Sequence, residues 1–112
     1  RFVGEFEAAF NYVPATYAAQ SYDAANMLNA AVRRVGGNLS DKNALRAAIA
    51  AADFQSVRGP FRFGTNQYPV QDFWQLQVAR RADGKFQTET VRKVLEANVD
   101  PWAAECRMPA RI

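Results

Sequence analysis

In RFVGEFEAAFNYVP, the residues Phe2, Phe6, Ala9 or Phe10, and Val13 recur at helical spacing. They predict a first helix that ends before Pro14, because the residue preceding a proline avoids helical geometry. A second helix is predicted from about Thr16 to Val35. Tyr17, Ala24, Leu28, Ala31, Val32 and Val35 fall on one face, with Gln20, Asp23, Asn26, Arg33 and Arg34 largely opposite. Alanines beside the apolar stripe allow a neighbouring element to approach closely. Thr16 is the cap candidate, Gly36-Gly37 supplies a left-handed stop, and Arg33 and Arg34 in the last turn suit the helix dipole. A third helix follows Ser40 and Asp41, its cap candidates, with Leu45, Ala48, Ile49 and Ala52 inward. It ends near Asp53.

The period then changes from helical to alternating. SVRGPFRFG places Phe61 and Phe63 around Arg62, a short strand entered through Gly59-Pro60. TNQYP is turn chemistry. DFWQLQVARR alternates Trp74, Leu76 and Val78, a longer half-buried strand. ADGK is a hairpin signal, since Asp-Gly tolerates the positive φ angles of tight turns. A return strand runs from about Phe86 to Val94. Its facing stays open, because a two-residue loop and a bulged three-residue loop give opposite registers. DPWAAECRMP closes the chain as a turn or single helical turn anchored by Trp102. Three helices followed by strands fit either a small α+β domain or the C-terminal portion of a larger α/β protein. The first helix begins at Arg1 with no cap ahead of it, which favours the second.

Composition narrows the chemistry more than it names it. The chain has 112 residues, one domain's worth, and 49% are hydrophobic, enough for a core. Net charge is +3. The basic residues come in scattered pairs such as Arg33-Arg34, Arg80-Arg81 and Arg92-Lys93, not in the stripe that nucleic acid requires, so no nucleic-acid partner is expected. Histidine is absent, which removes the commonest metal ligand and general base together with every triad built on it. Cys106 is the single cysteine, so it is a buried thiol or the partner of a cysteine outside this chain. No apolar run approaches the roughly 20 residues that span a bilayer. No cofactor is implied.

Few residues qualify for a site. Glu5 and Glu7 stand two apart on different sides of a helix, and Glu96, Asp100 and Glu105 lack partners for acid–base or metal work. All read as solvated carboxylates. Gly64-Thr65-Asn66 reads as a plain turn. Tyr17 and Tyr22 are the informative aromatics, and both can be core. Tyr17 differs in lying at the first turn of its helix, just after Pro14. First-turn N–H groups and the positive end of the dipole suit an anionic ligand such as a carboxylate, and an aromatic ring there can wall its pocket.

The ordered set Pro14, Tyr17-Ala18, Tyr22-Asp23-Ala24, Leu28, Ala31, Gly36-Gly37 and FQSVRGPFRFGTNQYPVQDFWQLQV resembles the C-terminal end of a periplasmic solute-binding protein. The type is that of branched-chain amino-acid ABC importers, the extracellular ligand-binding receptor or type I periplasmic binding family. DPWAAECRMP is similar to the tails of a subgroup with a cysteine near the end. The resemblance implies an α/β fragment of a two-lobed receptor: three helices, then a short strand and a β-hairpin. Residues 1–56 would belong with the first lobe, and residues 57–112 with a hinge crossing near 57–65 and the end of the second. It also implies a non-catalytic periplasmic protein, with a signal peptide outside this chain. Its partners would be a small solute (an amino acid or related carboxylate), a membrane permease and the remainder of its own chain. By the same resemblance Tyr17, and with it Ala18, wall the ligand pocket. The competing expectation is a self-standing α+β interaction or dimerisation module. Exposed apolar surface and self-association would favour the fragment.

Overall fold

The computed structural model describes residues 1–107. Its first element, α1 (Phe2–Phe10), is shorter than the run up to Pro14. Asn11 enters the left-handed region (φ 58°) and returns its N–H to the Glu7 carbonyl, closing the helix early. Tyr12 then folds back edge-on against Phe6, with ring centroids 5.2 Å apart. Stacked Phe2, Phe6 and Phe10 make the apolar face of α1, and Phe2 meets Tyr22 of the next helix at 4.9 Å. Glu7, expected to be solvated, instead accepts two hydrogen bonds of 2.8 and 2.9 Å from Arg81 at the far hairpin.

The second helix, α2, covers Thr16–Arg34. Its cap position is the extended Ala15, and no side chain caps the turn, so Thr16 is the first helical residue and not the cap. The stop is the Gly36-Gly37 pair. Gly36 N–H reaches the Arg33 carbonyl and Gly37 N–H the Val32 carbonyl, with φ of 60° and 78°, the paired bonding of a Schellman motif. Asp41 starts α3 (Lys42–Ala50), its Oδ1 accepting from the N–H groups of Asn43 and Ala44 at 3.1 and 2.9 Å. Asp41→Ala is expected to cost about 1 kcal/mol of local stability. Faster amide exchange confined to α3 would be the readout. Ala52 at φ 49° turns the chain out just beyond the helix.

α2 and α3 pack through small side chains. Ala31, Ala48 and Ala52 are buried, and with Val70 they are the buried apolar residues among those described. Ala31, Ala48 and Ala52, all predicted inward, bring the two backbones close but bury little area. The apolar face assigned to α2 is only partly inside. Leu28 is exposed, whereas Asp23, assigned to the outer face, is 2% exposed and the deepest side chain described.

The strands form one antiparallel sheet in the order β1 (Phe61–Phe63), β2 (Pro69–Arg80), β3 (Phe86–Asn98). Between β1 and β2, Gly64 donates to Tyr68 O and Gln67 donates to Gly64 O. A Cβ on Gly64 would stand 3.2 Å from Asn66 Oδ1 and 3.3 Å from Tyr68 O, so any side chain there requires these neighbours to give. At the hairpin, Arg81 N–H bonds Lys85 O and Gly84 sits at φ 84°. This is the bulged three-residue loop, and it settles the open register, with Arg80 opposite Phe86 and Trp74 opposite Lys93. Both long strands exceed the alternating segments that predict them. β3 continues past Val94 because register shifts absorb extra residues, and Ala97 (φ 43°) is fixed by donating its N–H to Asp72 Oδ1 at 2.8 Å.

After β3, a short 3-10 turn spans Ala103–Glu105. Trp102 does not anchor it, being 66% exposed. The anchor is Asp100, which accepts from Trp102 N–H at 3.0 Å and from the buried Asn66 Nδ2 at 2.7 Å. Cys106 is exposed, not buried. Met108 and Pro109 of the closing stretch lie outside the described residues.

The result is a slab, 50 × 35 × 15 Å, with a radius of gyration of 17.0 Å. A compact domain of this length would have about 13 Å. A helical layer sits beside a long two-stranded ribbon whose Trp74, Leu76 and Val78 are all exposed. Such a continuous apolar strand face is what an interface with further protein requires.

Candidate functional site

The helical layer and the sheet meet at a cleft of about 690 Å³. One wall is the start of α2, with Thr16, Ala19 and Gln20 facing in. The other is the crossing from α3 to β1 with the start of β2, including Arg58, Gly59 and Trp74. Thr16, Ala19, Gln20 and Asp23 recur at intervals of three and four, so they share one stripe of the helix. That stripe, not the one carrying Leu28, is the face turned to the crossing.

Asp23 ends the stripe and fixes the crossing. Its Oδ2 accepts from Ser56 Oγ at 2.6 Å and Arg58 Nε at 2.8 Å, and its Oδ1 accepts from Val57 N–H at 2.9 Å. Ser56 Oγ in turn accepts from Arg58 N–H at 3.0 Å. Arg58 extends to β2, where its Nη1 donates to Gln71 Oε1 at 3.1 Å, and its guanidinium lies 5.8 Å from the centre of the Phe61 ring. A buried carboxylate is tolerable only with such partners. One charged residue of α2 thereby holds three consecutive residues of the crossing.

At the sheet side, Lys93 Nζ pairs with Asp72 Oδ2 at 2.7 Å and lies 5.2 Å from the centre of the Trp74 ring. The Ala97 N–H and the Lys93 ammonium hold the Asp72 carboxyl below its ordinary range. The bond to Asp72 holds Lys93 above its own. Both groups stay charged near neutrality, and each neutralises the other, so the sheet wall offers no free ion of either sign from this pair.

Tyr17 stands at the first turn of α2, as the sequence predicts, and its side chain is 79% exposed. It points roughly a quarter turn away from Thr16, and Ala18 about half a turn, so neither lines this cleft. Tyr22 packs on Phe2. The Asp23–Ser56–Arg58 cluster escaped the sequence reading. Its signals were an aspartate within an alanine-rich helix and the S-x-R spacing of QSVRG, which become legible only together. Among the described residues no group of acidic, cysteine or histidine side chains could hold a metal ion.

Comparison with known proteins agrees with this architecture. No curated protein matches the chain. A solved structure does: an ABC-transporter solute-binding protein from R. palustris, crystallised in complex with benzoate. It is 36% identical with a TM-score of 0.79, over 95% of this chain. The chain spans 28% of the length of that protein. The three helices, short strand and hairpin are thus an arrangement found within a periplasmic binding-protein fold. The model of the periplasmic binding protein family, whose members are non-catalytic and work in the periplasm, matches residues 1–85. Over three quarters of its length, therefore, this chain carries the pattern of the periplasmic binding protein family, and it belongs to that family.

Proposed function

We propose that the chain is the C-terminal part of a two-lobed receptor that delivers a small carboxylate to an ABC importer. Residues 1–56 belong with the first lobe, 57–65 form a hinge crossing, and the remainder of 57–112 belongs with the second. The observation that carries this reading is the likeness, at 36% identity, to a solute-binding protein crystallised with benzoate. The first turn of α2 adds physical support. Its cap position offers no side chain, and although Ala18 N–H is bonded to Ala15 O, the N–H groups of Thr16 and Tyr17 and the positive dipole remain for an anion. Tyr17 and Ala18 are the ligand-facing residues of that turn in the complete receptor. The exposed Tyr17 ring stacks on the solute, and the carboxylate sits near the helix end. A solute touching both lobes favours the closed state, which a membrane permease then engages.

The ordered motifs resembling branched-chain amino-acid receptors favour an amino acid as a second reading, and both solutes present a carboxylate. A thermal-shift panel on the complete receptor separates them. Benzoate and related aromatic acids are expected to raise the melting temperature, with leucine and valine giving little change. The reverse ranking would assign the amino-acid class, and no response to any carboxylate would remove this proposal.

A further inference from the structure

We propose that Asp23, Arg58 and Gln71 form a strut that sets the geometry of the hinge, making Asp23 and Arg58 positioning residues for solute binding. The inference rests on the receptor reading above and adds to it a device in the crossing, away from the proposed ligand contacts.

The deepest side chain described is a carboxylate, in a layer whose other buried positions are mainly alanines. Net stability is a weak reason for an ion pair at such a place. An apolar residue of similar size is commonly as good, because removing both charges from water offsets their attraction. Direction is what the pair supplies. Both Asp23 oxygens are occupied, by Val57 N–H on one and by Ser56 Oγ and Arg58 Nε on the other. The backbone of residues 56–58 is therefore fixed in position and angle relative to α2.

Arg58 carries that constraint onward. Nε is bound to Asp23 and Nη1 to Gln71 Oε1, so a rigid planar group spans from α2 to β2. Val57, Arg58, Gly59 and Gln71 all border the cleft opposite Thr16 and Gln20. The strut therefore ties the two walls of that cleft, one on each side of the proposed hinge. Gly59, at φ 106°, lies immediately beyond Arg58, and nothing stands within 4 Å of where its Cβ would be. It is a pivot of low steric cost next to a fixed anchor, as hinge bending at a few residues requires.

The test uses the complete receptor, with benzoate as probe. Affinity is read by calorimetry, and the separation of the lobes in the absence of any solute by small-angle scattering. Gln71→Met removes one end of the strut but leaves Asp23 with its three donors, so the melting temperature should stay within about 2 °C of the wild type. Benzoate affinity is expected to fall about tenfold, because the closing geometry is no longer pre-set. The solute-free distribution of lobe separations should broaden. Arg58→Lys keeps the charge but cannot reach both partners and should act the same way. Unchanged affinity and an unchanged distribution in both variants would overturn the proposal and leave the cluster as packing. If the wild type does not bind benzoate, the ligand reading fails separately. The solute-free distribution then decides the strut alone: broadening upholds it, no change overturns it.

Discussion

Asp23→Ala is expected to destabilise the folded receptor by about 3 kcal/mol, the low end for breaking a buried pair. The substitution strands Ser56 Oγ, Val57 N–H and Arg58 Nε together. Arg58 is partly exposed, at 26% of its side chain, and keeps Gln71, so water recovers some of its loss. Val57 N–H and Ser56 Oγ, both in part-buried bonds, lose their acceptor as well. Leaving a buried donor without an acceptor costs about 1–3 kcal/mol each where water cannot enter. Asp23→Asn keeps one carbonyl acceptor and is expected to lose roughly half as much. Urea denaturation gives the sum, and exchange of the Val57 amide gives the local part. A loss below about 1 kcal/mol would mean that the crossing rearranges and re-solvates freely, which would contradict the picture of a fixed anchor.

The second large effect is on binding, not folding. Tyr17→Ala in the complete receptor is expected to weaken the solute by about thirtyfold, the size of an aromatic hot spot near 2 kcal/mol. Its stability should change by less than about 0.5 kcal/mol, since the ring packs on little within this chain. Tyr17→Phe keeps the stacking face and is expected to bind nearly as the wild type does. The contrast between the two variants matters more than either alone. Equal affinities for alanine and wild type would return Tyr17 to an ordinary surface residue and move the ligand wall elsewhere, the Thr16–Gln20 stripe being the nearest alternative.

Local chemistry was legible in the sequence wherever one short stretch decides the outcome. The Gly36-Gly37 stop, the Asp41 cap and the Asp-Gly hairpin each depend on bonds within a few residues. Legibility ended where partners are distant. Nothing within α2 shows that Asp23 faces inward, because its donors lie 33 to 35 residues away. Taken alone, a polar residue beside alanines reads as solvent-facing. Asp100 was misread for the same reason, its partner Asn66 being 34 residues distant. Trp102 failed in the other direction, since size alone suggested an anchor that a carboxylate supplies instead. The proposed site was legible only in its position at a helix start.

Calorimetric titration of the complete receptor with benzoate and with benzamide tests the central claim most directly. The two solutes share ring and shape, and only benzoate carries the charge that a helix start without a side-chain cap would select. Saturable benzoate binding with benzamide weaker by about a hundredfold is the predicted result, the difference expected when a buried site loses a charge-assisted pairing. Equal affinity for the amide would contradict a carboxylate receptor built around the first turn of α2, and no heat with either solute would remove the aromatic acid as its ligand.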